Sequence, residues 1–177
     1  MARRDPAVFA EFVAARSSSL FRTAYLMVGE HALAQDLLQE AFTKTYVAWP
    51  RLREVGNAEA YTRKVITTTA ISWRRKKSWH ERPTESLPEQ LAPATSDLGA
   101  RDWLWTELQK LPPRQRAAVV LRFYEDMSEA QTAAAMGCAT GTVKSQVSQG
   151  LKRLREQIGT GAELVAPGDL TELVVGP

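Results

Sequence analysis

Apolar residues recur at intervals of three and four along most of the chain, whereas the alternation typical of strands is nearly absent. Within residues 1–80 this periodicity predicts three helices. The first stretch is one long helix or two short ones and ends at Gly29. The second helix, about 33–49, is stopped by Pro50, and the third, about 58–79, has Asn57 as its N-cap. The first stretch has an inner face that contains several aromatic rings. The residues of this face are Phe9, Phe12, Val13, Arg16, Leu20, Phe21, Ala24 and Tyr25.

The middle of the chain lacks this periodicity. Residues 81–99 contain three prolines and four acidic residues, which is typical of a linker. Helical periodicity resumes near residue 100, and Pro113 suits the first turn of a helix. We therefore predict an all-α protein. Two small helical domains, 1–80 and 100–156, are joined by a flexible acidic linker and followed by a disordered tail, 157–177.

Residues 128–155 have the layout of a helix-turn-helix motif. Ser128 and Gln131 can form a capping box at the start of a short helix. Gly137 suits the left-handed residue that ends this helix, and Thr140 is placed to cap the next one. The second helix has an apolar back formed by Val143, Val147, Leu151 and Leu154.

The opposite face of that second helix is polar and mildly basic. Lysines there can neutralise phosphates, hydroxyl groups can bond phosphates or base edges, and Gln149 can pair with adenine. The alternative is a helical hairpin whose polar face only meets water. On the first interpretation the DNA-binding residues are Thr142, Lys144, Ser145, Ser148, Gln149 and Lys152.

Composition excludes several classes of protein. The net charge is +3, but it is divided between two basic bodies and an acidic connector, which suggests two contacts with a polyanion. No apolar run approaches the ~20 residues of a membrane span, and Cys138 has no disulfide partner. His31 and His80 lack metal-ligand spacing, and no nucleotide or nucleophile motif is present. We expect a cytoplasmic protein with no cofactor, metal, membrane partner or small-molecule substrate, and not an enzyme.

Two motifs in order resemble those of bacterial sigma factors. DLLQEAF at 36–42 resembles the region that grips the β′ clamp helices of RNA polymerase. LPPRQRAAVVLRFYEDMSEAQTAAAMGCATGTVKSQVSQGLKRLR resembles the promoter-reading C-terminal domain of extracytoplasmic-function (ECF) sigma factors, and ARSSSLFRTAYLMVGE and SWRRKKSW resemble the SigE-type subgroup. The resemblance covers about residues 5–156.

The resemblance implies partners and site residues. The expected partners are core RNA polymerase, through its β′ clamp helices and β flap, and promoter DNA; an anti-sigma factor is usual in the family, although nothing in the chain names one. The residues implied for polymerase binding are Asp36, Leu37, Gln39, Glu40, Phe42 and Thr43. Those implied for reading and melting the −10 element are Arg63, Lys64, Thr67, Thr68, Arg74 and Arg75. The C-terminal helix-turn-helix is implied to read the −35 element.

The sequence leaves three points open. Thr68 and Ser72 depart from the Asn or Asp common in the family, so the −10 sequence is not predicted. The competing hypothesis is a dimeric helix-turn-helix regulator that binds operator DNA, but such a protein has no use for the acidic face of the DLLQEAF helix. Of Trp73 and Trp79, one is expected in the core and the other is available to stack on a base.

Overall fold

The computed structural model describes residues 6–52, 54–77 and 105–158, and of residues 55, 74–77 and 158 only the backbone. In these ranges the chain forms helices and no strands, which confirms the predicted all-α class. The predicted linker, 81–99, lies outside the described residues, as does nearly all of the predicted tail. We call residues 6–77 the N-terminal half and residues 105–158 the C-terminal half.

The N-terminal half consists of α1 (Pro6–Val28), α2 (His31–Ala48) and α3 (Val55–Lys77). The first stretch is thus a single helix. Gly29 ends it with φ of 81°, and the Gly29 N–H donates to the carbonyl of Tyr25 at 2.8 Å. A left-handed residue at this position leaves glycine as the unstrained choice.

Two predicted helix ends in this half need correction. Helix α2 stops at Ala48, and a 3₁₀ turn over Trp49–Arg51 accommodates Pro50. Helix α3 begins at Val55, so Asn57 lies inside its first turn and is not the N-cap. The reason is that the carbonyl of Glu54 already accepts the N–H groups of Asn57 and Ala58, at 3.1 and 3.2 Å.

The C-terminal half starts with a helical stretch at 105–110 (α4). It continues with α5 (Pro113–Val119), a π-helical turn (Val120–Tyr124), α6 (Glu129–Met136) and α7 (Thr140–Ile158). Pro113 occupies the first turn of α5, as predicted.

The helix-turn-helix itself is confirmed. The Ser128 capping box is present with both of its hydrogen bonds, and Gly137 has φ of 64°. The predicted cap of α7 is wrong by one residue: the carbonyl of Ala139 accepts the N–H of Val143 at 3.2 Å, so Thr140 is already helical.

The two halves pack directly against each other. Helix α3 contacts both α5 and α6, and α1 contacts α5. The C-terminal half contributes eight buried residues to the shared core, and four of them are alanines. They are Ala117, Ala118, Val120, Leu121, Ala133, Ala135, Met136 and Val143. The sequence predicts two domains joined by a flexible linker and gives no sign of this packing.

Polar groups join the halves at the end of α1. The last carbonyls of any helix lack partners within it. Here Gln109 Nε2 donates to the Leu26 carbonyl at 3.1 Å, and Arg116 Nη1 donates to the Met27 carbonyl at 2.9 Å. Arg116 is fully buried, and its guanidinium also bonds the carbonyls of Leu108 and Leu111. The C-terminal half therefore caps a helix of the N-terminal half.

Candidate binding surfaces

An open groove of about 1050 Å³ runs between α1 and α2. Aromatic rings form its floor: Phe42 meets Phe12 edge to face at 6.2 Å between ring centroids, and Phe9 meets Tyr46 at 5.0 Å. Polar side chains stand along its rim. The residues lining the groove are Phe9, Val13, Ser17, Ser18, Phe21, Arg22, Gln35, Asp36, Leu38, Gln39, Phe42, Thr43 and Tyr46. The rim carries one carboxylate (Asp36), one guanidinium (Arg22), amides and hydroxyls, so the groove suits a helical partner that carries both apolar and polar residues.

Most of the predicted polymerase-binding residues meet at this groove. Asp36 and Gln39 are exposed, and Thr43 donates its hydroxyl to the Gln39 carbonyl at 2.8 Å. Glu40 remains partly exposed and pairs with Lys44 at 2.6 Å. The carboxylates are therefore available on the surface.

Leu37 behaves differently from the rest of that set. It is 0% exposed in the core beneath α2 and does not line the groove. The structure thus gives it a packing role. Conversely, sequence reasoning missed Tyr46 and Val47, which are 52% and 75% exposed near the end of α2. Tyr46 lies seven residues after Gln39 and hence on the same helical face, which is the signal that could have identified it.

The predicted −10 residues of α3 fall into three groups. Lys64 is exposed, and Thr68 is half-buried with its hydroxyl bonded to the Lys64 carbonyl at 2.8 Å. Thr67 is 0% exposed and the Arg63 side chain 16% exposed. The side chains of Arg74 and Arg75, like Trp79, lie outside the described residues.

Arg63 is held by a residue of the C-terminal half. Its Nη2 lies 2.9 Å from a carboxylate oxygen of Glu125. It lies equally close, 2.9 Å, to an oxygen of Glu59, one turn earlier on α3. Sequence reasoning missed Glu125, because periodicity carries no information about which distant residue faces a given side chain.

Helix α7 presents its predicted polar face to solvent. Lys144, Ser145, Ser148, Gln149 and Lys152 are exposed and Thr142 half-buried, while the apolar back is anchored by buried Val143 and Leu154. This arrangement leaves the front of the helix free to enter a DNA groove.

Hydrogen bonds order part of that face. Gln149 Nε2 donates to the Ser145 hydroxyl at 3.0 Å. Gln149 Oε1 accepts from Nε2 of Gln115, which lies on α5 and is only 5% exposed. Gln115 was not singled out from the sequence. Its position before the buried Arg116 gave no sign that it reaches α7.

Other kinds of site find no support in the part of the chain that the structure describes. No group of three or more His, Cys, Asp or Glu side chains there is arranged to hold a metal ion. Nor do these ranges contain a helix with the length and apolar character needed to cross a bilayer.

Comparison with known proteins covers both halves. The family model for Sigma-70 region 2 matches residues 12–80, and that for Sigma-70, region 4 matches residues 101–154. The RNA polymerase sigma-E factor of Streptomyces coelicolor is 42% identical over 151 residues, covering 85% of each chain. The sigma-E factor of Streptomyces antibioticus is 40% identical over 161 residues, covering 90% of this chain and 89% of that protein.

A solved structure has the same fold. The sigma factor RpoE of Bartonella quintana, crystallised in complex with the anti-sigma factor NepR, is 24% identical and superposes with a TM-score of 0.67, covering 87% of this chain and 98% of that one. Together with both family regions in order and the close relatives in Streptomyces, the sequence and the fold lead to one conclusion. The chain belongs to the sigma-70 family of RNA polymerase sigma factors, as an alternative, ECF-type member that directs promoter-specific transcription.

Proposed function

We propose that the groove between α1 and α2 is the surface on which the protein binds core RNA polymerase, at the β′ clamp helices. The observation that carries this assignment is the exposed Asp36 at the rim of a groove with a floor of aromatic rings, with partly exposed Glu40 one turn further along α2. Basic and apolar residues of a paired helix fit such a surface, since opposite charges steer the approach and aromatic contacts supply most of the affinity. The polymerase contact residues are Asp36, Gln39, Glu40, Phe42 and Thr43, with Tyr46 added.

The DNA contacts are assigned to α3 and α7. Helix α3 reads the −10 element as a melted strand through Arg63, Lys64, Thr67 and Thr68, with Arg74 and Arg75 tracking phosphates. The face of α7 from Thr142 to Lys152 reads the −35 element as duplex. This division supports the domain boundaries proposed from the sequence, 1–80 and 100–156, and a linker that lets the halves separate. Residues 81–99 could span roughly 60 Å when extended.

The protein's own role on this proposal is recognition, while polymerase carries out the chemistry. It would act in the cytoplasm, where core polymerase works, and the C-terminal half would rest on the β flap. The Bartonella relative was crystallised with an anti-sigma factor. We infer that a partner of this class regulates this chain too.

The polymerase-binding assignment is tested by replacing two carboxylates of α2, Asp36 at the groove rim and Glu40 one turn further along the helix. The double change Asp36→Ala, Glu40→Ala should weaken binding to core polymerase by about tenfold or more, equivalent to about 1.4 kcal/mol. The melting temperature should stay near that of the wild type, because both side chains lie at the surface. Affinity is measured by titrating labelled protein with core polymerase.

The matched control is Glu11→Ala, Glu156→Ala, which removes two exposed carboxylates outside the groove. Equal affinities for the two double variants would refute the assignment. Run-off transcription on genomic templates then reports whether initiation from selected promoters falls with polymerase binding.

A further inference from the structure

The loop between the π-helical turn and α6 carries Glu125 across to the N-terminal half. One carboxylate oxygen pairs with Arg63 of α3 at 2.9 Å, and the other accepts a hydrogen bond from the Thr23 hydroxyl of α1. The Glu125 side chain is only 11% exposed. Neighbouring Tyr124 is half-buried, and this burial raises the pKa of its hydroxyl above the usual value. The negative charge of Glu125 adds to the shift, whereas the positive charge of Arg22 opposes it. Glu125 is therefore inserted between helices rather than resting on the surface.

Glu125 covers part of the surface proposed to bind the −10 strand. Residues four apart lie on the same side of a helix, so Arg63 and Thr67 share the face of α3 that meets the C-terminal half. Thr67 is fully buried and Arg63 nearly so. With Arg63 paired to Glu125 and Thr67 buried, little of either side chain is open to a DNA strand in this arrangement.

The charges around Arg63 are balanced only while Glu125 is present. Arg63 pairs with Glu59, which also pairs with Arg16 at 3.1 Å. These three residues carry a net charge of one positive unit, and Glu125 neutralises it. Withdrawal of Glu125 would leave a cationic patch, which favours a phosphate. The carboxylate thus uses the pairing position on Arg63 that a phosphate would need.

We propose that Glu125 is an internal competitor for promoter DNA, which keeps the −10 surface of α3 closed in the free protein. This inference rests on the proposed function of α3. Core polymerase, by binding the two halves at separate places, withdraws Glu125 and exposes Arg63 and Thr67.

The interface is suited to reversible opening. Half of the buried residues that the C-terminal half contributes to the shared core are alanines, and small side chains bury less apolar area than leucine or phenylalanine. Arg63 Nε is buried without a hydrogen-bond partner, which is a cost of the closed arrangement that opening relieves.

The test compares Glu125→Gln with Asp126→Asn. Both remove one negative charge from adjacent positions, but Asp126 is exposed, and asparagine tolerates its φ of 48°. Each free protein is titrated with a fluorescein-labelled, mixed-sequence single-stranded 20-mer as probe. Glu125→Gln should bind about fivefold or more tightly than wild type, at the low end of typical couplings between sites, and Asp126→Asn should not. X-ray scattering should show a larger radius of gyration for Glu125→Gln alone.

A second variant keeps the test valid if Glu125→Gln folds poorly. Thr23→Val removes the hydrogen bond to Glu125 without changing charge and should shift affinity in the same direction. Equal affinities for Glu125→Gln and Asp126→Asn, or unchanged affinity in both Glu125→Gln and Thr23→Val, would overturn the competitor role. The same probe is titrated in parallel against wild-type protein bound to core polymerase. If that complex binds the probe no more tightly than core polymerase alone does, the proposed function of α3 is what fails.

Discussion

At the scale of single residues, the link between Gln115 and Gln149 concerns how DNA is read. An amide side chain can present its donor and acceptor in two orders, and its hydrogen bonds decide between them. In the structure the acceptor of Gln149 faces Gln115 and its donor faces Ser145. In that order the second lone pair of Gln149 Oε1 and the second hydrogen of Nε2 stay available, which are the groups that pair with adenine.

We therefore expect Gln115→Leu to reduce base discrimination. The change keeps the buried volume but removes the donor, so Gln149 can flip. About 1 kcal/mol of preference for adenine should be lost at the position that Gln149 reads. The measurement is competition binding with duplexes that carry each of the four base pairs at that position. Gln149→Leu serves as reference; if it alone abolishes the preference, Gln115 only fills space.

At the scale of elements, the turn between α6 and α7 sets how the recognition helix is presented. Gly137 has φ of 64°, and a Cβ built there would meet nothing within 4 Å. The demand for glycine is thus conformational and not steric. Gly141, in the first turn of α7, also has open space around it but a conventional φ.

This contrast predicts opposite effects for the same substitution. Gly137→Ala should lower the free energy of unfolding by about 1 kcal/mol, because alanine disfavours the left-handed region. Gly141→Ala should raise it by roughly 0.5–1 kcal/mol through helix propensity. Urea denaturation of both variants checks the signs. A loss of similar size in both would mean that the turn is not the cause.

Elements were also the level at which the sequence was most informative. Helices such as α2 and α7 bury one side and expose the other, so apolar residues mark them directly. Their ends were less certain: Asn57 is a good cap by type, but the carbonyl of Glu54 had already started α3. The burial of Thr67 and the pairing of Arg63 with Glu125 could not be predicted. The periodicity of apolar residues marks a polar residue as exposed and does not show which distant residue will pack against it.

At the scale of the whole molecule, an aromatic stack ties the halves together. Tyr25 of α1 lies parallel to Trp105 of α4, with ring centroids 4.4 Å apart and planes at 6°. Phe21, one turn earlier on α1, also stacks on Tyr25, with ring centroids 6.3 Å apart. The contact of Tyr25 with Trp105 joins residues eighty positions apart in the sequence, so it exists only while the halves are packed.

A double-mutant cycle should detect this tie. With Tyr25→Ala and Trp105→Ala, we expect a coupling of about 1 kcal/mol in the free energy of unfolding. The same cycle with Tyr46→Ala in place of Tyr25→Ala should give none, because Tyr46 lies at the far groove and half its surface is exposed. Zero coupling between Tyr25 and Trp105 would mean that the free protein spends most of its time open.

The glycine that ends α1 has a consequence for how the halves can meet. A Cβ on Gly29 would lie 2.3 Å from Oε1 of Gln109, the side chain that donates to the Leu26 carbonyl and accepts from Arg116. Any larger residue would therefore displace the Gln109 side chain from its bonds to Leu26 and Arg116. The missing side chain at Gly29 thus makes room for the residue through which the C-terminal half caps α1.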